Sequence, residues 1–172
     1  MNTLARLSVA MCATVILPIP LVAGPQHVAG HEAAVYQVGV AAVDITPGYP
    51  VRLSGFGFRR EEAAGVTQPI WAKALAIDDG HGPVVLITVD NLGIPASMVH
   101  AVARRLADVG VRPDRLAITA THTHTAPMLT DVAPTLFGVP IPPAHQQHID
   151  RYTHDLTKNL EKVARQALKA RA

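Results

Sequence analysis

The apolar residues of the chain fall into short runs and periodic stripes, which predict four strands and two helices. Short apolar runs that end at turn residues are typical of strands. Apolar residues spaced three and four apart are typical of a helix that packs by one face. The predicted strands are residues 37–45, 70–77, 83–89 and 116–120, and the predicted helices are residues 95–109 and about 144 to the end.

The order of these elements predicts the fold class. Residues 78–82 read Asp-Asp-Gly-His-Gly, a hairpin-type signal between the second and third strands. The third strand is apolar on both faces, which is usual for a central strand covered on both sides. Strand, helix and strand follow one another over residues 83–120, so those two strands are expected to be parallel neighbours. We therefore predict an α/β fold: a mixed, partly parallel sheet with helices packed on it, forming a single, not necessarily complete, domain.

The first residues have the layout of an export signal. Arg6 is followed by an apolar run over residues 7–23, with small residues at its end. This pattern predicts a signal peptide at residues 1–24, a flexible leader at 25–34 and a folded part at 35–172. A membrane anchor is the alternative, but Pro18 and Pro20 interrupt the run. The protein is accordingly expected to be secreted or periplasmic.

Composition narrows the chemistry that the folded part can carry. The formal net charge is +2, and no basic run occurs, so nucleic-acid binding has no support in the composition. The single cysteine, Cys12, lies inside the predicted signal peptide. A transition metal in the folded part would therefore be held by histidine, carboxylate or tyrosine side chains.

His122 and His124 are the candidate site residues, because they follow directly on the last predicted strand. If strand alternation continues, both imidazoles point to one side, and two such imidazoles begin many zinc sites of hydrolases. The carboxyl edge of an α/β sheet is also where ligands bind. Asp90 ends the neighbouring strand at the same edge. Three roles are open to it: a third metal ligand, a carboxylate that orients an imidazole, or the cap of the next helix.

Ordinary structural roles are the alternative to this hypothesis, and other histidines must also be considered as ligands. A His-x-His pair can consist of ordinary polar residues at a strand end. His145 and His148 have the one-turn spacing of a ligand pair on the last helix, but no glutamate accompanies them in the His-Glu-x-x-His manner. His100, on the first helix, is expected to be a surface residue or one whose hydrogen bonds are satisfied within the fold.

With these residues assembled, the chain resembles the amino-terminal part of the neutral/alkaline, non-lysosomal ceramidases, which are secreted or surface zinc amidases. The specific match is the Thr-His-Thr-His-Thr-Ala-Pro segment at residues 121–127, which is similar to Thr-His-Thr-His-Ser-Gly-Pro in that family. Supporting matches come in the same order as in the family, at residues 38–47, 53–56 and 84–90.

The resemblance implies specific roles. His122 would bind the catalytic zinc, and His124 would face the substrate amide and help to stabilise the oxyanion. The substrate would be a ceramide-like lipid, cleaved at its N-acyl amide, and such a substrate allows contact with a membrane surface. The other zinc ligands of the family lie beyond the point where this sequence stops. We therefore expect that this chain needs a missing carboxy-terminal half or a partner chain for activity.

Two other functions remain open at this stage. Metallo-β-lactamase-like hydrolases also lead an apolar strand into Thr-His-x-His, but their following Asp-His ligands are replaced here by Ala126 and Pro127. A secreted, non-catalytic binding module would keep the fold with at most weak affinity for metal. Metal content separates the module from either enzyme.

Overall fold

The computed structural model describes residues 35–172, so the predicted signal peptide and leader lie outside the described residues. Within these residues, strands and helices occur in the predicted order. The strands are β1 (Gln37–Asp44), β2 (Trp71–Asp78), β3 (Val84–Val89) and β4 (Leu116–Ala120), and the helices are α1 (Ala96–Leu106) and α2 (Pro143–Lys169). No helix in this part of the chain is long and apolar enough to cross a membrane.

The four strands form one mixed sheet in the order β1-β2-β3-β4. β1 pairs with β2 and β2 with β3 in antiparallel fashion. β3 and β4 are parallel, with Val85 opposite Leu116 and Val89 opposite Ala120. The predicted hairpin between the second and third strands and the predicted parallel βαβ unit are therefore both confirmed.

Both helices contribute to a single core on one face of the sheet. Val85, Ile87 and Val89 of β3 are buried in the same cluster as Val102 of α1 and Leu160 of α2. The apolar stripe of α2 is buried throughout, at Ile149, Tyr152, Leu156, Leu160, Val163 and Ala167. The period of three and four thus identified the packed face of α2 correctly, because that face lies against the sheet.

The other face of the sheet corrects one expectation. β3 is central, as predicted, but Leu86 is 43% exposed and Val40 of β1 is 68% exposed. Within residues 35–172, both helices lie on the opposite face, so the expected cover on both sides of β3 is not met here. An apolar run shows that both faces of a strand can be buried, but it does not show which segment packs on the second face.

A glycine ends the helical segment that begins with α1. The helix is continued by a 3-10 turn at Ala107–Val109. Gly110 comes next with a φ of 79°, and its N–H donates a hydrogen bond to the carbonyl of Ala107. Glycine adopts this left-handed conformation without steric cost, which explains why the helical segment stops there.

A buried tyrosine links α2 to the strand layer. The hydroxyl of Tyr152 donates a hydrogen bond to the carbonyl oxygen of Ile45 at 3.0 Å. Burial raises the pKa of Tyr152 well above its ordinary value of 10.0. The unfolded chain therefore releases this proton at a lower pH than the folded chain does. The stabilisation is complete below about pH 10 and is lost as the pH rises toward the folded pKa.

We expect Tyr152→Phe to make the fold less sensitive to high pH. The variant loses the hydrogen bond to Ile45, which should cost about 1 kcal/mol at neutral pH. Urea unfolding at about pH 8 and about pH 11 measures both effects. The wild-type chain should lose more free energy of unfolding over this interval than the variant loses. Equal losses would show that Tyr152 does not link folding to pH.

Candidate metal and catalytic site

The candidate histidines lie where the parallel pair of strands ends. β4 ends at Ala120, yet the chain keeps pairing with the exit of β3 beyond that point. The N–H of Thr121 donates to the carbonyl of Val89, and the N–H of Thr123 donates to the carbonyl of Asn91, both at 3.0 Å. These two bonds hold the segment at the carboxyl edge of the sheet, where the sequence places it.

The two imidazoles are neighbours, although not through regular strand alternation. The ring centroids of His122 and His124 are 4.8 Å apart in a T-shaped arrangement. On the other side, the hydroxyl oxygens of Thr121 and Thr123 are 2.7 Å apart. His122 itself has a φ of 62°, a left-handed conformation that is costly for a non-glycine residue. The expected grouping is therefore present, but a local bend produces it.

One ring nitrogen of His122 is committed to the fold. Its Nδ1 lies 3.0 Å from the carbonyl oxygen of Leu92, in the turn after β3. A carbonyl oxygen only accepts hydrogen bonds, so Nδ1 carries the proton. In the neutral ring, Nε2 then keeps its lone pair. This arrangement is typical of a histidine that binds a metal through Nε2, since the second nitrogen is usually fixed by such a bond.

His124 is held differently. Within residues 35–172, no hydrogen bond restrains its ring, which is exposed. Its neighbours are two rings: His122 at 4.8 Å and Phe56 at 5.4 Å between centroids. The two histidines are therefore held in different ways: a hydrogen bond fixes one imidazole, and the other packs against aromatic rings.

Asp90 bonds to the strand frame in this structure. One carboxylate oxygen accepts a hydrogen bond from the N–H of Trp71 at 2.9 Å, and the other accepts one from the Thr121 hydroxyl at 3.2 Å. The helix-cap alternative for Asp90 is wrong, because α1 begins after Pro95 and has no side-chain cap. Asp90 reaches the histidine segment through Thr121, and in the described residues it bonds to neither imidazole.

Sequence reasoning missed Asn91, which is fully buried at this edge. Its amide nitrogen donates to the carbonyl of Pro127 at 3.0 Å, and its side-chain oxygen accepts from the N–H of Leu92. Asn91 thereby ties both ends of the candidate site together: the turn that carries the Leu92 carbonyl and the exit of the histidine segment. In the sequence, an asparagine after a strand reads only as a turn residue.

The glycine loop at residues 53–57 also lies beside the histidines. The N–H of Ser54 donates to the carbonyl of Ala126 at 2.9 Å, and the N–H of Met128 donates to the carbonyl of Arg52 at 2.7 Å. Gly55 and Gly57 lack a Cβ atom, so the backbone of this loop can come close to a neighbouring segment. In the structure, that backbone approaches the histidine segment.

The two histidines of α2 that have ligand-pair spacing, His145 and His148, form no joint site. Nδ1 of His145 accepts a hydrogen bond from the buried Arg52, while Nδ1 of His148 lies 2.7 Å from the Glu62 carboxylate. Across residues 35–172, no three His, Cys, Asp or Glu side chains are grouped closely enough to hold a metal ion. At the carboxyl edge of the sheet, the described residues therefore offer the imidazole of His122, fixed by a backbone carbonyl, with the ring of His124 beside it.

A cleft of about 810 Å³ opens on the threonine side of the segment. Its lining includes Thr123, Thr125, Asp90 and Tyr49, but neither His122 nor His124. This cleft therefore adjoins the candidate site from the threonine side, away from the imidazoles.

Comparison with known proteins assigns the chain to a family. The family model for the amino-terminal region of neutral/alkaline non-lysosomal ceramidases matches residues 36–166. The chain belongs to this ceramidase family. The resemblance inferred from the segment at residues 121–127 is thus confirmed across nearly the whole described region.

Two curated ceramidases show how small a part of each relative the match covers. The neutral ceramidases of Drosophila melanogaster and Drosophila pseudoobscura pseudoobscura are each 30% identical to it over 105 residues. Those matches cover 57% of this chain and 15% of each relative. The chain therefore spans about a seventh of the length of the curated ceramidases that it matches.

Solved ceramidase structures confirm the fold class. The crystal structure of neutral ceramidase from Pseudomonas aeruginosa aligns with a TM-score of 0.64 at 20% identity. The alignment covers 79% of this chain and 22% of that one. A ceramidase complexed with C2 aligns with a TM-score of 0.62 at 19% identity. The mixed, partly parallel sheet with helices packed on it is thus an arrangement found in ceramidases.

Proposed function

We propose that this chain supplies the amino-terminal part of a zinc-dependent amidase that hydrolyses the N-acyl amide of ceramide-like lipids. Membership of the ceramidase family supports the reaction class. The observation that carries the assignment to this site is the hydrogen bond between Nδ1 of His122 and the carbonyl of Leu92. That bond leaves Nε2 free on an exposed ring at the carboxyl edge of the sheet.

His122 fits the part of a zinc ligand, and it fits as one ligand of several. About three protein ligands are usual at a catalytic zinc. Residues 35–172 supply no complete set, so our proposal places the remaining ligands in a further segment or a partner chain. When bound, zinc would supply Lewis-acid polarisation of the amide carbonyl and a water of lowered pKa.

His124 fits the part of a group that faces the substrate. Its ring is exposed beside His122 and is free of hydrogen bonds to the described protein, so an N–H remains available to donate. A donor aimed at the carbonyl oxygen stabilises the negative charge that develops there when the amide is attacked. The segment thus combines a group that binds metal and a group that binds the oxyanion on adjacent rings.

Export completes the proposal. A lipid amidase that meets its substrate at a membrane surface would work outside the cytoplasm, in keeping with the signal peptide predicted at residues 1–24. Residues 35–172 are then the start of the mature fold, after a short leader at 25–34.

A second candidate function is a non-catalytic binding module. The observation that favours it is the lack, within residues 35–172, of three grouped metal-binding side chains. Such a module would keep the sheet and the histidine segment without turnover. The metallo-β-lactamase-like alternative loses support, because the family match lies with the ceramidases.

The form of the protein that its native cells produce should decide between the two functions. We would purify the protein carrying this sequence from its own cells and measure its intact mass. Release of fatty acid from a short-chain fluorescent ceramide would then be followed with and without a zinc chelator. Our proposal expects hydrolysis that the chelator abolishes and added zinc restores. A species that binds zinc weakly and releases no fatty acid would establish the binding module.

A further inference from the structure

Gly55 lies directly against the backbone of His124. A Cβ atom at position 55 would stand 2.2 Å from the carbonyl oxygen of His124, 2.4 Å from its Cβ and 2.7 Å from its Cα. Real Cβ atoms essentially never approach other atoms within 3.0 Å. The φ of Gly55 is not positive, so the glycine is needed for close contact and not for a special turn.

The loop cannot easily move away to relieve such a clash. On one side of Gly55, Leu53 pairs with Pro127 in an antiparallel bridge, and Ser54 bonds to Ala126 through both its N–H and its hydroxyl. These bonds join the loop to the same segment that carries the histidines. A methyl group at position 55 would therefore have to break this pairing or displace the backbone of His124.

Phe56 then turns its ring onto the imidazole. Its φ is 65°, a left-handed conformation that is rare for a bulky side chain and costs about 1 kcal/mol or more. The ring centroids of Phe56 and His124 are 5.4 Å apart, and the guanidinium of Arg59 lies 4.8 Å from the Phe56 ring. Phe56 remains 44% exposed, so burial in the core does not explain its strained conformation.

We propose that Gly55 and Phe56 are positioning residues for His124. Gly55 brings the loop into contact with the His124 backbone, and this contact sets the Phe56 ring against an imidazole that no hydrogen bond from residues 35–172 holds. His122 needs no such device, because the Leu92 carbonyl fixes its ring. The inference rests on the proposed function, which gives the orientation of the His124 ring its purpose.

The contact can be tested by NMR on the metal-free chain. The wild-type protein should show cross-peaks between the ring protons of Phe56 and those of His124, since the rings are close. In Gly55→Ala these cross-peaks should be lost. Phe56→Leu should remove the ring-current shift from the His124 protons, and Phe56→Tyr should restore it. The amide signals of β3 and β4 should stay in place throughout.

Two other glycines provide matched controls. A Cβ at Gly48 would meet nothing within 4 Å, so Gly48→Ala should change neither stability nor the His124 signals. A Cβ at Gly39 would stand 2.1 Å from the carbonyl oxygen of Ala167 in α2. Gly39→Ala should therefore destabilise the fold while keeping the Phe56–His124 cross-peaks.

Three results would overturn the inference. Gly55→Ala could fold and keep the cross-peaks, or Gly39→Ala could lose them to the same extent, which would indicate general loosening. If Gly55→Ala does not fold, Phe56→Leu decides, and unchanged His124 shifts there would exclude the contact. A separate zinc titration distinguishes this inference from the proposed function, because the ring contact does not require metal.

Discussion

Replacing His122 with alanine should abolish zinc binding, whereas replacing His124 should leave it intact. Losing only the outer partner of a ligating histidine typically lowers metal affinity about 10- to 100-fold. Loss of the ligand itself should therefore lower the affinity about 100-fold or more. His124→Ala removes a donor to the oxyanion, which typically costs about 10²- to 10³-fold in kcat. Metal analysis, calorimetric titration and ceramide hydrolysis of the natively produced species measure these effects.

His100→Ala is the matched control for this pair. His100 is an exposed histidine on α1, so its loss removes an imidazole without touching the carboxyl edge of the sheet. We expect zinc affinity and turnover to remain at wild-type values in this variant. Normal zinc binding in both His122→Ala and His124→Ala would show that the assignment of the metal ligand is wrong. Equal loss of zinc in both variants would contradict the division of roles between the two rings.

Truncating Leu160 to alanine should destabilise the fold far more than the same change at Leu86. Leu160 is fully buried on α2, in the core cluster shared by both helices and the sheet, and a Leu→Ala change in such a place typically costs about 2–5 kcal/mol. Leu86 is 43% exposed on the open face of β3. Its truncation leaves no enclosed cavity and should cost about 1 kcal/mol or less. Urea unfolding of the two variants gives the comparison directly.

This pair also tests whether the second face of the sheet is covered in the natural protein. If a further segment or a partner chain packs on that face, Leu86 becomes a core residue, and Leu86→Ala should then approach the cost of Leu160→Ala. The measurement is therefore made both on the chain of this sequence and on the species isolated from native cells. A low cost at Leu86 in both would mean that the face stays open.

The helices, the strands and the place of the candidate site can all be predicted from the amino-acid pattern. The stripe of α2, the stop at Gly110 and the parallel strands around α1 all follow from patterns that extend over a few residues. Such patterns are readable because side-chain direction repeats with the backbone geometry of each element. The segment at residues 121–127 added the family, since its residues are specific enough to be matched without a structure.

The contacts that hold the histidine segment, in contrast, come from parts of the chain that meet only in the folded protein. Leu92, Asn91 and Gly55 contact that segment from positions about 30 to 70 residues earlier in the chain, so no local period reports them. The left-handed conformation of His122 likewise depends on bonds that distant backbone groups supply. The exposure of one face of β3 could not be predicted for a similar reason. An apolar strand shows only that its faces can be buried, and the folded chain determines what packs on each of them.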